Sequence, residues 1–176
     1  MHFLTSNLPL LKYSEGEITK MKVFAALVLL TLVNYAYSKD TTVVNSCHDA
    51  LLPEVVLTAN NTVCAKGPCI VKPGSDVTLT VSFTAPTYLE HIKPKIIATA
   101  IGVELEYPLG EDDACVGILN TNCPVSAGEL VEYAHTMHIL DIFPEAAVTL
   151  TFTINDEDNN NADVVCFVID IQFKKT

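Results

Sequence analysis

From Asp76 to Phe83 polar and apolar residues alternate strictly. Val77, Leu79, Val81 and Phe83 fall on one face, and Asp76, Thr78, Thr80 and Ser82 on the other. Val148, Leu150, Phe152 and Ile154 repeat the pattern against Thr149, Thr151 and Thr153, and Val165, Phe167, Ile169, Ile171 and Phe173 repeat it again. Successive side chains leave a strand on opposite faces, so a period of two rich in β-branched residues predicts half-buried antiparallel strands. Weaker strands are expected near 42–47, 54–59, 95–107 and 130–139. Turn signals fall between them: Lys72-Pro73-Gly74-Ser75, Pro108-Leu109-Gly110, Ser126-Ala127-Gly128 and the polar run Asp156 to Asn161. About seven short strands with almost no helix read as a β-sandwich. No internal repeat and no linker divides it.

The amino-terminal stretch follows a different rule. Val23 to Val33 is a run of eleven residues, apolar except for Thr31, preceded by Lys20 and Lys22. A membrane-spanning helix needs about 20 such residues. Ala36 and Ser38 are small residues at the spacing a signal peptidase reads, so residues 1–38 are expected to be a secretory signal peptide cut after Ser38. Residues 1–20 are either an extended leader or lie upstream of a start at Met21. The expectation is a secreted or lysosomal chain with one domain over 39–176.

Composition narrows the class. Hydrophobic residues make up 49% and charged residues 18%, which is too apolar for a disordered chain. Residues 39–176 carry seven Lys, no Arg and 19 Asp plus Glu, a net charge of −12. A nucleic-acid binder needs a cationic face to displace counterions from phosphate, and no basic cluster is present to build one. All six cysteines lie in this part, and an even count in a secreted chain implies three disulfides, with fifteen pairings possible. Spacing suggests Cys64 with Cys69 and Cys115 with Cys123 across short loops, leaving Cys47 and Cys166 to tie the two ends. Zinc is the competing reading, and it fails for want of a C-x₂-C pair and because the compartment is oxidising.

Signatures of reactive chemistry are few. The sequence has no Gly-rich phosphate loop and no G-x-S-x-G, and every thiol has a partner in prospect. His135, His138 and Asp141 superficially resemble a metal trio, but residues three apart on a strand point to opposite faces. Asp156, Asp158 and Asn160 mimic the start of a calcium loop that lacks its Gly at position six and its closing Glu. Glu111-Asp112-Asp113 is a solvated acidic run, and Glu104 and Glu106 alternate outward from Val103, Leu105 and Tyr107. No enzyme activity, metal or cofactor is expected. Asn60-Asn61-Thr62 is a glycosylation sequon in a polar turn, which marks Asn60 as a modification site in a secreted chain.

An ordered set of fragments remains. Cys47 precedes Leu52-Pro53-Glu54-Val55, and Cys64 to Cys69 brackets Ala-Lys-Gly-Pro. Lys72-Pro73-Gly74 opens the strand to Phe83, Gly102-Val103 runs to Tyr107-Pro108, and Cys123-Pro124, Phe143-Pro144 and Asp156 to Cys166 follow. Over nearly all of 47–173 the chain resembles the Niemann–Pick type C2 family of ML (lipid-recognition) domains. The resemblance implies an immunoglobulin-like sandwich with the pairings Cys47–Cys166, Cys64–Cys69 and Cys115–Cys123. It also implies an apolar ligand between the two sheets, with Tyr107, Pro108 and Phe143 at the mouth. Ile139, Val103, Leu105, Leu79 and Val81 would line the pocket, and Phe152 stands where relatives often carry Trp. The chain departs from the family in having no Trp and in placing Glu104 and Glu106 where Pro is frequent.

The function expected from this is a monomeric, non-enzymatic carrier of a small hydrophobic ligand such as a sterol or fatty acid, making transient contact with a membrane or receptor. A semiochemical carrier is a variant of it. A co-receptor that presents a bacterial lipid is the second class, and the absence of Arg together with the acidic charge suits it poorly, because such lipids carry phosphates.

Overall fold

The computed structural model describes residues 40–48 and 52–175. The expected signal peptide lies outside the described residues. The elements are β1 (Asn45–Ser46), β2 (Glu54–Ala59), β3 (Thr62–Val63), β4 (Cys69–Val71), β5 (Asp76–Thr84), β6 (Ile92–Ala100), β7 (Val103–Tyr107), β8 (Leu130–His138), β9 (Ala147–Asp156) and β10 (Ala162–Phe173). One sheet runs β1-β10-β9-β6-β7, with β4 added in parallel to β10, and the other runs β3-β2-β5-β8. The fold is an all-β, immunoglobulin-like sandwich. Its single helical piece among the described residues is a 3₁₀ turn at Ala114–Gly117, where the Asp113 carboxylate accepts from the Cys115 N–H at 2.8 Å. No described helix is long and apolar enough to cross a membrane.

The three alternating segments fold as their pattern dictates, with Val77, Leu79, Val81 and Phe83 of β5 facing Phe152, Ile154, Phe167 and Ile169 of the other sheet. An aromatic trio spans the gap. The Phe152 ring lies 6.1 Å from Tyr133 of the opposite sheet and 5.2 Å from Phe167 of its own. Such large side chains fix the sheet spacing near the usual ~10 Å at this level. At the end away from the free tip of β6, Leu89 and Val125 exchange backbone hydrogen bonds and close the sandwich.

One expectation is corrected. The segment 95–107 is a hairpin, and its first strand starts at Ile92 and includes Pro94. Ile101 and Gly102 make the turn with φ of 53° and 75°. Positive φ at both central residues is the geometry of a tight hairpin turn, usually signalled by Asn-Gly. Isoleucine in the first position hides that signal and holds the backbone in a region costly for a β-branched residue. Asn60 and Asn61, with φ of 52° and 59°, make the β2–β3 turn with residues suited to it.

The disulfides are Cys47–Cys166, Cys64–Cys69 and Cys115–Cys123, as spacing and resemblance both suggested. The acidic run after β9 is a hairpin tip, in which the Asp156 carboxylate accepts from the Asp158 N–H at 3.0 Å. His91 reaches this tip: its ring Nδ1 sits 3.1 Å from the Asp158 carboxylate. That hydrogen bond, with the charge behind it, holds the exposed His91 above its ordinary 6.5.

Two outcomes are expected. Loop closure in the chain-entropy picture assigns about 5 kcal/mol to the Cys47–Cys166 bridge, whose separation is 119 residues, and about 2–2.5 kcal/mol to each of the short bridges. Denaturant titration of three paired Cys→Ala variants checks this ranking, and equal losses contradict it. Protonated His91 pairs with Asp158, so its stabilisation is full below pH 6.5 and fades as pH rises through the raised folded value. The denaturation midpoint should therefore lose a small, salt-sensitive component as pH rises above 6.5. That component should be missing in His91→Gln, and an identical pH profile in the variant rules it out.

Candidate functional site

The inward residues of β6 run Ile92, Pro94, Ile96, Ala98, Ala100. Side-chain volume falls along the strand while the sheet spacing set by the aromatic trio does not, so the sandwich stands open at the alanine end. The opening is a cavity of about 260 Å³. Ala98, Ala100, Val103, Leu105 and Tyr107 form one wall, from the β6–β7 hairpin. Met137, Ile139, Phe143, Pro144 and Ala146 form the facing wall, from β8 and the loop behind it. Val148, Leu150, Ile171 and Phe173 supply the remainder. Among these lining side chains the Tyr107 hydroxyl is the one polar group.

The mouth is braced by a few specific contacts. The Tyr107 hydroxyl donates to the His138 carbonyl at 3.2 Å, joining the edge strand of one sheet to the end of β8 in the other. Burial raises the Tyr107 pKa, so the hydroxyl stays a neutral donor at physiological pH. Phe143 stacks on Phe173 at 5.3 Å and meets Tyr107 at 6.4 Å, which makes an aromatic arc over the opening. Ile139 is pinned on both sides of its backbone: its N–H donates to the Ser75 carbonyl at 3.0 Å and its carbonyl accepts from the Gly74 N–H at 2.7 Å. Gly74 has φ of 75°, and a Cβ there would lie 1.9 Å from the Asp141 carboxylate, so only glycine fits this crossing of two loops.

A smaller void of about 30 Å³ lies deeper, between Leu79, Phe152, Phe167 and Ile169. Ile96, Met137, Ile139, Leu150 and Ile171 wall both spaces.

The structure sorts the expected site residues. Tyr107, Phe143, Ile139, Val103 and Leu105 line the cavity, although Val103 and Leu105 are each 67% exposed and sit on its rim. Leu79 and Phe152 line the inner void. Val81 borders neither space. It is fully buried one step nearer the closed end, in register with Tyr133. Pro108 faces a shallow polar groove outside the sandwich with Lys93, Lys95, Glu106 and Asp112, where Lys95 pairs with Glu106 and Lys93 with Asp112, each at 3.3 Å. The alanines at 98, 100 and 146 escaped the sequence reading because a small apolar residue adds little to an alternation pattern. The declining inward series on β6 is the signal that finds them.

His135 and His138 diverge, as the strand rule requires. His138 Nδ1 pairs with Asp76 at 2.8 Å, and His135 faces inward. Two groups of metal-type donors gather among the described residues. One includes Cys166, whose sulfur is bonded to Cys47, and the other is the exposed Glu90, His91 and Asp158, where His91 is committed to Asp158.

A disulfide-stapled sandwich closed at one end and hollow at the other is a binding scaffold rather than a packed structural module. The family model of the ML domain matches residues 41–173, and the chain belongs to that family. The chain is 28% identical over 104 residues to the NPC intracellular cholesterol transporter 2 homolog a of Drosophila melanogaster, covering 59% of this chain and 68% of that protein. It is 28% identical over 90 residues to the mite group 2 allergen Lep d 2 of Lepidoglyphus destructor, covering 51% of this chain and 62% of that one. A Niemann–Pick type C2 protein from the Japanese carpenter ant has the same fold. Its TM-score is 0.63 at 16% identity, over 75% of this chain and 99% of the ant protein.

Replacing Tyr107 by Phe keeps the ring and deletes the bond across the mouth. The expected cost is about 0.5–1.5 kcal/mol, with faster hydrogen exchange of the amides of β7. Unchanged stability and unchanged exchange would show that the two lips are not coupled there.

Proposed function

We propose that the chain is a secreted, non-enzymatic carrier that takes a small hydrophobic ligand into the cavity between its two sheets. The observation that carries this reading is a 260 Å³ space walled by apolar side chains, which opens beside a core of fully buried residues. Protein interiors normally leave few voids larger than a water molecule, so an apolar space of this size runs against packing. An engineered cavity of about 150 Å³ accepts benzene, which puts roughly ten carbon atoms inside this one. Burying ten methylenes is worth about 8 kcal/mol gross, and ordering removes several of these. A fatty acyl chain or a sterol body with its remainder at the mouth fits that size.

The relatives support the same reading: one is named as an intracellular cholesterol transporter homologue. The rim suits passage of an apolar cargo. Ile101 is 99% exposed, next to Val103 and Leu105 on one lip, and Leu140 and Ile142 are 50% and 81% exposed on the loop that carries Phe143. Exposed apolar groups clustered around an opening fit transient contact with a membrane or receptor. Glu104 and Glu106 alternate with them on the outer face, so contact with anionic membranes is disfavoured at neutral pH. Asn60, exposed in its turn, is offered as a glycan site.

Ala98→Phe tests the site without dismantling the fold, because the new ring grows into empty apolar space. Binding of a fluorescent fatty acid or sterol should fall at least about tenfold, which is about 1.4 kcal/mol, while the melting temperature holds or rises. Tyr107→Ala and Phe143→Ala should weaken the same binding. Wild-type affinity in Ala98→Phe places the ligand elsewhere.

A further inference from the structure

β7 is the edge of its sheet: β6 lies on one side of it, and no described strand lies on the other. Its pairing with β6 runs from Val103 opposite Ala100 to Tyr107 opposite Ile96 without a bulge. In an antiparallel pair every second residue turns its N–H and C=O away from the partner strand. Among the described residues no hydrogen bond reaches this outer edge. The edge of the other sheet is treated differently. There the 3₁₀ segment lies along the first half of β8, with Ile118 bridged to Tyr133 and the Leu119 N–H donating to the Glu132 carbonyl at 2.7 Å. Natural sheets cover, bend or shorten their edges, because an open one pairs with other chains. β7 is left exposed and bare beside the mouth of the cavity.

The two faces of the strand differ in chemistry. Val103, Leu105 and Tyr107 face the cavity, and Glu104 and Glu106 face away from it. Glu106 pairs with Lys95 at 3.3 Å, whereas Glu104 has no ion-pair partner among the described residues. We propose that the open edge of β7 docks one extended segment of a partner protein, with an apolar residue between two basic ones, which adds to the sheet as a further strand at the lip of the mouth. The purpose of such docking, handover of cargo, rests on the carrier role, and the strand pairing itself does not.

Charge and backbone together select the occupant. An added strand places its side chains about 5 Å from those of β7, alternately on the two faces. Lysine or arginine then lies opposite Glu104 and Glu106, and the apolar residue between them covers exposed Leu105. Main-chain bonds to the free edge supply the affinity, and the alternate side chains supply the selectivity. The acidic charge of the chain draws a basic segment from a distance. A second copy of this chain is a poor occupant. Two-fold pairing centred on Leu105 sets Glu104 of one copy against Glu106 of the other, and centring on either glutamate sets it against itself. Like charges directly opposite one another destabilise a sheet. A lipid bilayer fits this edge no better, since hydrocarbon leaves the edge N–H and C=O groups unpaired and strips water from the carboxylates.

The test follows the backbone amides of isotope-labelled protein by NMR during titration with three acetylated peptides. The first is Thr-Val-Lys-Val-Lys-Val-Thr, the second carries glutamate for both lysines, and the third is the shuffled Thr-Lys-Lys-Val-Val-Val-Thr. The alternating basic peptide should shift the amides of β7 and of the β6–β7 turn saturably and slow their hydrogen exchange. At low salt it should bind about tenfold or more tightly than the glutamate peptide. The shuffled peptide keeps the charge and loses the alternation, so it should not single out β7. In Glu104→Lys the basic-to-acidic ratio should fall to about one, because with either peptide one pair then attracts and the other repels. The substituted side chain lies on the outer face, so this variant should bind a fluorescent fatty acid as the wild type does. Shifts that are equal for the alternating and shuffled peptides overturn the docking site. So does an unchanged ratio in Glu104→Lys, and so does the absence of any shift in β7 at millimolar peptide. If the wild type docks the basic peptide and binds no fatty acid or sterol, the carrier reading fails and the strand pairing stands.

Discussion

The structure depends on a mismatch between two lengths. The separation of the sheets is set at mid-depth by Tyr133, Phe152 and Phe167, three rings that touch across and within the layers. Strands are stiff, so that separation persists to the end where β6 offers only Ala98 and Ala100. Large side chains hold the sheets apart, and small ones then fail to fill the space. Collapse at the open end would break the Tyr107–His138 bond, the paired bonds between Ile139 and the Gly74–Ser75 loop, and the stacking of Phe143 on Phe173. The cavity is thus a consequence of rigidity elsewhere in the domain.

Much of this was legible in the chain. Strict alternation in β5 and β9, and a large apolar residue at every second position from Val165 to Phe173 in β10, marked the layers and the inward faces. Cysteine spacing marked the short bridges. Two things were obscured. The β6–β7 turn was hidden because Ile101 occupies a position where asparagine is the usual marker, and Pro94 sits inside a strand that proline normally avoids. Emptiness was hidden because alternation records where apolar residues point and carries no measure of whether they meet. Val81 and Leu79 occupy the same face of one strand, two residues apart, yet Leu79 borders a void and Val81 is packed shut.

The two ends of the domain do different work. Hydrogen bonds between Leu89 and Val125, the buried Ala114 of the 3₁₀ turn and the Cys115–Cys123 bridge tie down the closed end. The open end carries the exposed apolar lips and most of the conformational cost, including an isoleucine with positive φ that is almost wholly exposed. Backbone cost of this kind persists where the surrounding structure enforces it, and it clusters at ligand clamps and switch regions. Rigid support beneath an exposed apolar rim suits exchange of cargo, since the lips are placed to meet another surface without unfolding of the layers behind them.

Native mass spectrometry of the protein purified from secreting cells tests the central claim most directly. The account requires a 1:1 adduct with an apolar molecule of a few hundred daltons, lost on solvent extraction and regained when a fatty alcohol or sterol is supplied. A protein that carries only its own mass, and takes up neither compound after extraction, would contradict it.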